Sequence, residues 1–354
     1  LHNISLCKKW PQPLPSAKHF GAHYMHTPPK MDLARLPTPL QCLKRFSTQH
    51  NLPRIWFKRD DLTDTNASGN KLRKLEFTIG QAVADGATLL ITAGGVQSNH
   101  ARATAIIAAQ LGLKSHLILR GLPGDPADGN QLIDELVGAA TTFIKPSRDV
   151  DEVFNELSEQ YRAAGETPYC IPIGASDEVG LWGYINAVEE LMQDFELQNI
   201  VPEYLFSATG SGGTAGGLIL GKAMHNLKTE ILSINVCDDE AYFVSKIRAD
   251  FRLWQSRYGN NLDVETLPIN IIDGYVGPGY GKATPDVFQM IGDLARTEGI
   301  ILDPVYTGKA FHGMIEELKK GHYSDARDIV FLHTGGIFGL FPQREQLMKY
   351  AVSR

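Results

Sequence analysis

Apolar positions along this chain follow two periods, and the switches between them define its elements. Short, near-continuously apolar runs lie at 55–58, 89–92, 116–119, 169–173, 204–208, 231–236, 269–272 and 329–333. Each is the length of a β-strand rather than of a helix. Helical spacing appears between them. Over 71–84, Leu72, Leu75, Ile79 and Val83 recur on one face. The Ala-rich segment 98–111 stops at Gly112, a residue suited to a helix C-terminus. Further helices are expected over 181–191 and from Ala215 onward. Strands that are apolar throughout, alternating with helices, imply a buried and mostly parallel sheet, hence an α/β fold. Two interleaved α/β domains fit this pattern, which does not by itself place their boundary.

Composition narrows the function. The chain has 354 residues, 43% apolar and 21% charged, with a net charge of −6. An acidic balance argues against nucleic-acid binding through phosphate contacts, and no apolar run approaches a membrane span. Cys7, Cys42, Cys170 and Cys237 form no CxxC pair and no metal-like spacing, so no metal is expected and the setting is read as reducing and cytoplasmic. Residues 1–31 carry lysines but no Asp or Glu, a bias shared with transit peptides. The stretch is Pro-rich and lacks Arg, and an extended arm on the body or on a partner subunit is the preferred reading. Its His19, His23 and His26 are read as surface histidines.

Three segments carry candidate chemistry. In Ser68-Gly69-Asn70-Lys71-Leu72-Arg73-Lys74 a lysine falls where a loop enters a helix. An ammonium is unfavourable at that end of the helix dipole, so a solvated basic turn or a reactive amine are the choices. Burial beside other cations, here Arg73 and Lys74, would lower its pKa and free the amine as a nucleophile. The second segment is Gly94-Gly95-Val96-Gln97-Ser98-Asn99-His100, where Ser98 is a good N-cap. Its backbone N–H groups suit a carboxylate. Capping alone would explain Ser98, and His100 alone would read as a surface histidine. Gln97, Asn99 and His100 are nevertheless more polar equipment than a cap requires. The third is Thr209-Gly210-Ser211-Gly212-Gly213-Thr214, a glycine-rich turn into a helix, suited to phosphate. It also loosely matches a dinucleotide fingerprint through Gly210, Gly212 and Ala215, with Asp238 as the ribose acid, so an NAD-dependent dehydrogenase competes on this loop alone. The three loops are expected to converge at the carboxyl ends of one parallel sheet. A lysine for an aldehyde, donors for a substrate carboxylate and a phosphate cradle together meet the needs of pyridoxal 5'-phosphate (PLP).

With Phe57-Lys58-Arg59-Asp60-Asp61, Gly277-Pro278-Gly279-Tyr280-Gly281, Asp303-Pro304-Val305-Tyr306-Thr307-Gly308-Lys309 and His333-Thr334-Gly335-Gly336 added, the chain resembles the D-cysteine desulfhydrase and 1-aminocyclopropane-1-carboxylate (ACC) deaminase family. The resemblance spans about residues 36–341 and belongs to the tryptophan-synthase β type of PLP enzymes. It implies fold type II, two three-layer α/β domains, with an arm at 1–35, a large PLP-binding domain of 36–74 and 181–354, and a small domain of 75–180. It implies a homodimer acting on a small amino acid. Lys71 would hold the cofactor and move the α-proton, and Ser98 would be the nucleophile or acid–base group. Asn70, Asn99, the 209–214 loop, Thr307 and Thr334 would bind the cofactor, Gln97 to His100 the substrate, and Tyr280 and Tyr306 would approach the substrate.

The family divides at two positions. The deaminases resemble one another in a Glu at the slot of Thr307 and a Leu at that of Thr334, and tend to have Gln at that of His100. Here all three choices match the desulfhydrases. A carboxylate beside the pyridine nitrogen would keep it protonated for opening an unactivated ring, whereas expelling a thiolate can manage with a hydroxyl and a weaker electron sink. The expected reaction is β-elimination from D-cysteine to pyruvate, hydrogen sulfide and ammonia. ACC deamination, elimination from another β-substituted amino acid, and a catalytically dead PLP-fold binding protein are the alternatives.

Overall fold

The computed structural model describes residues 17–20, 23–259 and 261–352. The expectations for Cys7 and for the arm before residue 17 lie outside these residues. The first half contains β1 (Ala17–Phe20), β2 (His23–His26), β3 (Leu40–Cys42), α1 (Lys44–Gln49), β4 (Arg54–Lys58), α2 (Asn70–Ala84), β5 (Leu89–Gly95), α3 (Asn99–Leu111), β6 (Lys114–Arg120), α4 (Gly129–Leu136), β7 (Ala140–Ile144), α5 (Val150–Ala163) and β8 (Pro168–Ile171). Then come α6 (Trp182–Gln198), β9 (Tyr204–Thr209), α7 (Gly213–His225), β10 (Glu230–Asn235), α8 (Glu240–Tyr258), β11 (Asn270–Ile272), α9 (Pro285–Glu298), α10 (Thr307–Lys319) and β12 (Asp328–Leu332).

Each strand expected from the apolar runs is present, with ends shifted by one to three residues. The β5 run continues to Gly95, so Gly94 and Gly95 are strand rather than loop. Ile173 leaves its strand for a short 3-10 turn. The strands form two sheets, as two α/β domains require. Six strands run in the order β11-β10-β9-β12-β4-β3, parallel except for β3 at the edge. Four run β7-β6-β5-β8, all parallel. The apolar alternation on β12 shows why the larger sheet is covered on both faces. Val330 and Leu332 pack with α6, α7 and α8, while Ile329 and Phe331 pack with α9 and α10. In the smaller sheet Leu90 faces α2 and α3, and Leu89 and Ile91 face α5. Both units are therefore three-layered α/β sandwiches. We propose the boundaries of the sequence reading for them, supported by the smaller sheet lying wholly within residues 89–171.

Before the first sheet, β1 and β2 pair as an antiparallel hairpin rather than an extended arm. Residues 31–34 then lie on the body, where the buried Glu76 carboxylate accepts from the backbone N–H groups of Leu33 and Ala34.

The start of α2 is fixed by a buried ionic network. Arg73 donates through Nε and Nη2 to both oxygens of Asp60, and through Nη1 and Nη2 to both oxygens of Glu190 on α6. Tyr184 Oη donates to Asp60 Oδ2 at 2.6 Å, and Thr38 Oγ1 to Asp60 Oδ1 at 2.8 Å. Lys58 at the end of β4 pairs with Glu190 and Asp194, each at 2.5 Å. Burial disfavours ionisation of Glu190, yet Arg73 and Lys58 hold its carboxyl down to about 2. Burial would also lower Arg73, but Asp60 and Glu190 reverse this and raise it well above its ordinary value. Arg73→Met leaves Asp60, fully buried, without its main counterion, and removal of one partner from a buried pair costs roughly 3–5 kcal/mol. The expected outcome is a urea transition at clearly lower denaturant than the wild type. An unchanged midpoint would show that this network does not anchor α2.

Candidate active site

Lys71 is the second residue of α2. The turn before it depends on Gly69, whose φ is +111° and where a Cβ would come within 2.7 Å of the Thr334 carbonyl oxygen. Asn70 N–H donates to that same carbonyl at 3.1 Å. The Gly69 loop is thereby held against the segment that follows β12, and Lys71 is left facing inward. Part of its side chain remains open to the cleft. Burial lowers its amine to about 8. The sequence reading gave this effect to Arg73 and Lys74 together. Arg73 instead points away into its ion network, and Lys74, one helical turn on, is the neighbour of the Lys71 amine.

Lys74 was not singled out from sequence. It is fully buried, and burial followed by the Lys71 charge pushes its amine well below its usual value. Its Nζ donates to Ser176 Oγ at 3.2 Å. Ser176 Oγ in turn donates to Ser211 Oγ at 2.9 Å and accepts from Gly213 N–H at 3.2 Å. A Cβ on Gly213 would lie 2.5 Å from Ser176 Oγ and 3.0 Å from Lys74 Nζ, so the helix start can approach these groups only as glycine. The position of Lys74, three residues after Lys71 on one helix face, was the available sequence signal. Ser176 had none.

The glycine-rich turn leads from β9 into α7, whose N-cap, Gly212, has φ +82° and supplies no side-chain cap. Thr209 Oγ1 is buried without a hydrogen-bond partner among the described residues. Thr214 Oγ1 accepts from Asn70 Nδ2 at 2.9 Å, which leaves its own proton free to donate. An uncapped helix N-terminus with a buried amine, unspent hydroxyls and glycine access is a cradle for an anion such as phosphate. These residues fit the phosphate end of PLP, and Lys71 fits its aldehyde end.

The Ser98 segment behaves less simply. Ser98 is the N-cap of α3, and its Oγ accepts from Ala101 N–H at 3.2 Å. Asn99 Oδ1 accepts from Asn130. Gln97 is occupied by its own subdomain, donating to Asp128 O at 2.9 Å and accepting from Asn130 N–H at 2.8 Å. Its amide is therefore a brace for the segment. His100 is buried rather than on the surface. Its Nε2 lies 2.7 Å from Thr92 Oγ1, whose proton goes to Ile171 O, so the ring nitrogen is the donor. Burial, then Lys71 and Lys74, hold His100 well below its usual value and hence neutral.

Tyr280 and Tyr306 meet at their hydroxyls, 2.5 Å apart. The Tyr280 ring edge lies 3.2 Å from where a Cβ on Gly95 would stand, and the Tyr306 ring 3.0 Å from where one on Gly210 would stand. The pair thus spans the ends of β5 and β9, one from each sheet. Burial, and then Tyr280, raise the Tyr306 hydroxyl well above its ordinary value, so it stays protonated at neutral pH. Thr307 is fully buried, and its hydroxyl donates to Asp303 Oδ1 at 2.6 Å and accepts from Asp303 N–H at 2.9 Å. Thr334 is nearly buried on the other side of Gly69. Cys237, which the sequence reading did not place here, has its thiol against Gly210 O, in the field of Lys71 and both tyrosines. An open cavity of about 790 Å³ beside Asp239, Arg248 and Asp273 includes none of these site residues.

The family described as pyridoxal-phosphate dependent enzyme matches residues 31–335. A Thermotoga maritima protein named putative 1-aminocyclopropane-1-carboxylate deaminase is 40% identical, over 90% of this chain and all of its own. The Arabidopsis thaliana bifunctional D-cysteine desulfhydrase/1-aminocyclopropane-1-carboxylate deaminase, mitochondrial, is 37% identical, over 97% of this chain and 86% of its own. The crystal structure of an ACC deaminase homologue superposes with a TM-score of 0.83 at 36% identity, covering 91% of this chain and 96% of that one. The dehydrogenase reading of the glycine-rich turn is thereby set aside. With a buried amine at one end of the cleft and an anion cradle at the other, the chain belongs to the pyridoxal-phosphate dependent enzymes and is a PLP-dependent lyase.

Proposed function

We propose that the substrate is D-cysteine and that the products are pyruvate, hydrogen sulfide and ammonia, with one water consumed. The observation that carries this choice is the saturation of Asp303. Its Oδ2 accepts from the N–H groups of Val305 and Tyr306, and its Oδ1 from the N–H and hydroxyl of Thr307. No carboxylate lone pair at the start of α10 is left to hold a proton on a pyridine nitrogen. This supports a weak electron sink, sufficient for a thiolate leaving group and poorly suited to opening a cyclopropane.

Bound PLP supplies the aldehyde that takes the substrate amine and the ring that spreads the charge left at Cα. The residues do the rest. Lys74, Ser176, Ser211, Thr214 and the 209–213 backbone hold the phosphate. Ser98 and Asn99 at the start of α3 receive the substrate carboxylate, with neutral His100 and Gln97 fixing that segment from behind. Lys71, with its amine lowered to about 8, takes the α-proton. The electron pair left at Cα forms the double bond to Cβ as the C–S bond breaks. The Tyr280–Tyr306 pair, protonated and set between the ends of β5 and β9, delivers a proton to the leaving sulfur. The unsaturated amine that departs hydrolyses in water. A homodimer in a reducing cytoplasmic setting accompanies this proposal, and Cys42, Cys170 and Cys237 are free thiols in the structure. No helix among the described residues is long and apolar enough to cross a membrane.

Borohydride reduction of the holoenzyme followed by peptide mapping is expected to find the cofactor on Lys71, and Lys71→Ala to bind it only non-covalently. A label on Lys74 or Lys309 would overturn the assignment. The amine reacts only when neutral, so the rate of covalent cofactor capture by the apoprotein should rise with pH and level off above about 8. A rise continuing to the ordinary lysine range would contradict the burial of this amine.

The substrate itself is tested with D- and L-cysteine, β-chloro-D-alanine and ACC. Wild type is expected to favour D-cysteine and leave ACC intact. Thr334→Leu, and Thr307→Glu with Thr334→Leu, should each lower D-cysteine turnover, the double variant by more than about tenfold, or 1.4 kcal/mol in the barrier. Full turnover by a folded double variant would remove both threonines from the specificity argument.

A further inference from the structure

We propose that Lys309 is a positioning residue, which holds Tyr280 against Tyr306 through the backbone of residues 276–279. This rests on the reading above in placing the tyrosine pair at the leaving group. Lys309 lies three residues after Tyr306, in the first turn of α10, and is almost wholly buried. Its Nζ donates to Val276 O at 2.7 Å, to Gly279 O at 2.9 Å and to Val236 O at 3.4 Å. All three ammonium protons are thus spent on carbonyls. Two belong to the segment that ends in Tyr280, and one follows β10. Asp303 acts on Lys309 only from a distance, and none of the ion pairs formed among the described residues includes Lys309.

A buried cation without a counterion is costly, and a fold seeking only stability would do better with an apolar side chain there. What the ammonium achieves is geometric. The segment it grips is intrinsically loose. Gly277, Gly279 and Gly281 all have positive φ, and a Cβ on Gly279 or Gly281 would meet nothing within 4 Å. The segment has little packing of its own. Its other ties are Lys282 N–H to Gly279 O and Gln343 Nε2 to Gly281 O. Tyr280 keeps 45% of its surface exposed, so burial of the ring does not fix it either. The ammonium joins this segment to the helix that carries Tyr306, and the 2.5 Å contact between the hydroxyls follows from that tie. Burial lowers the Lys309 amine to about 8, with Cys237 and Asp303 pulling the other way from a distance.

The test uses the holoenzyme of Lys309→Met, which keeps the side-chain length and removes the donors. Amide hydrogen exchange should accelerate at least tenfold in peptides covering 274–282 and stay unchanged over 205–215. In steady state kcat should fall about 100-fold, the scale of an ångström-sized misplacement, with KM little altered. Added to Tyr280→Phe, the same change should cost less than threefold more, because the hydroxyl it positions is already gone. Unchanged exchange over 274–282, or losses that multiply in the double variant, would overturn the proposal. Should the Met variant fail to fold, Lys309→Gln, whose shorter amide leaves at least one of the three carbonyls without a donor, is expected to give a smaller change of the same sign, and no change in it would equally overturn the proposal. The exchange arm needs no substrate. A wild type inert towards the amino-acid panel would therefore remove the D-cysteine reading, while the exchange result would still decide for or against Lys309.

Discussion

The Arg73 guanidinium, forked between Asp60 and Glu190, is the contact on which the geometry of the site depends. It joins the turn after β4 to α2 and to α6, reaching Glu190 across 117 residues of sequence. Its neighbours complete the arrangement, since Tyr184, Thr38 and Lys58 take up the remaining oxygens. A buried network of this kind is a poor source of net stability, because desolvation offsets much of the Coulomb gain. Its advantage is direction. An apolar cluster would tolerate α2 sliding or rotating by a fraction of a turn, whereas two bidentate pairs do not. The first turn of α2 is locked in rotation, and Lys71 and Lys74 are therefore aimed at the cleft.

Three basic residues within four positions meet opposite electrostatic fates. Arg73 has two carboxylates and remains charged. Lys71 and Lys74 share the other face and have no carboxylate in contact, so burial draws both below their ordinary range. Beyond them Lys246 pairs with Asp250 and donates to Ser176 O, and Asp177 and Asp250 raise Lys74 too little to offset its burial. The result is a division of labour along one helix. On the proposed assignment the amine at the cleft is a nucleophile and a base, and the deeper one is poised to regain its proton when an anion arrives at the start of α7. Binding of a phosphate there favours the charged form of Lys74, and a charged Lys74 in turn disfavours protonation of Lys71. Cofactor binding would thus reinforce the reactive state of the lysine proposed to hold it.

Local features of the chain make this architecture legible, and long-range ones do not. The apolar runs at β5, β9, β10 and β12 were legible because both faces of those strands are buried. The strand at 140–144 was missed because it is an edge strand of Ala, Thr and Phe that is only partly buried. The helices α5, α8 and α9 were missed because their charged faces dilute the apolar periodicity. One sheet and two sheets give the same alternation along the chain. Only pairing separates them, and β4 pairs with β12, 274 residues away. In the site, Lys71, Ser98 and the 209–214 turn stood out because helix starts leave local traces in Gly, Ser and Asn. Ser176 reaches Lys74 across 102 residues and leaves none. Gln97 and His100 show the reverse problem. Their residue types suggested contact with a ligand, whereas the fold uses one as a brace and buries the other against Thr92.

The choice between elimination and ring opening finally comes down to how Asp303 is used. A carboxylate in that region could have served the cofactor ring directly. Here it caps α10 instead, accepting three backbone N–H groups and the Thr307 hydroxyl. Burial raises Asp303, while these four donors pull the other way by stabilising its charged form. With Thr307 donating inward, its oxygen offers at most a remaining lone pair outward, and the proton on a ring nitrogen would have only this neutral oxygen to stabilise it. A weak sink of this kind slows every reaction that must store a full carbanion. It costs least where the leaving group departs readily and is protonated at once. On the proposed reading the Tyr280–Tyr306 pair, between the ends of β5 and β9 and kept protonated, meets that second condition. The saturated acid and the protonated tyrosines then support the same proposal, loss of a good β-leaving group.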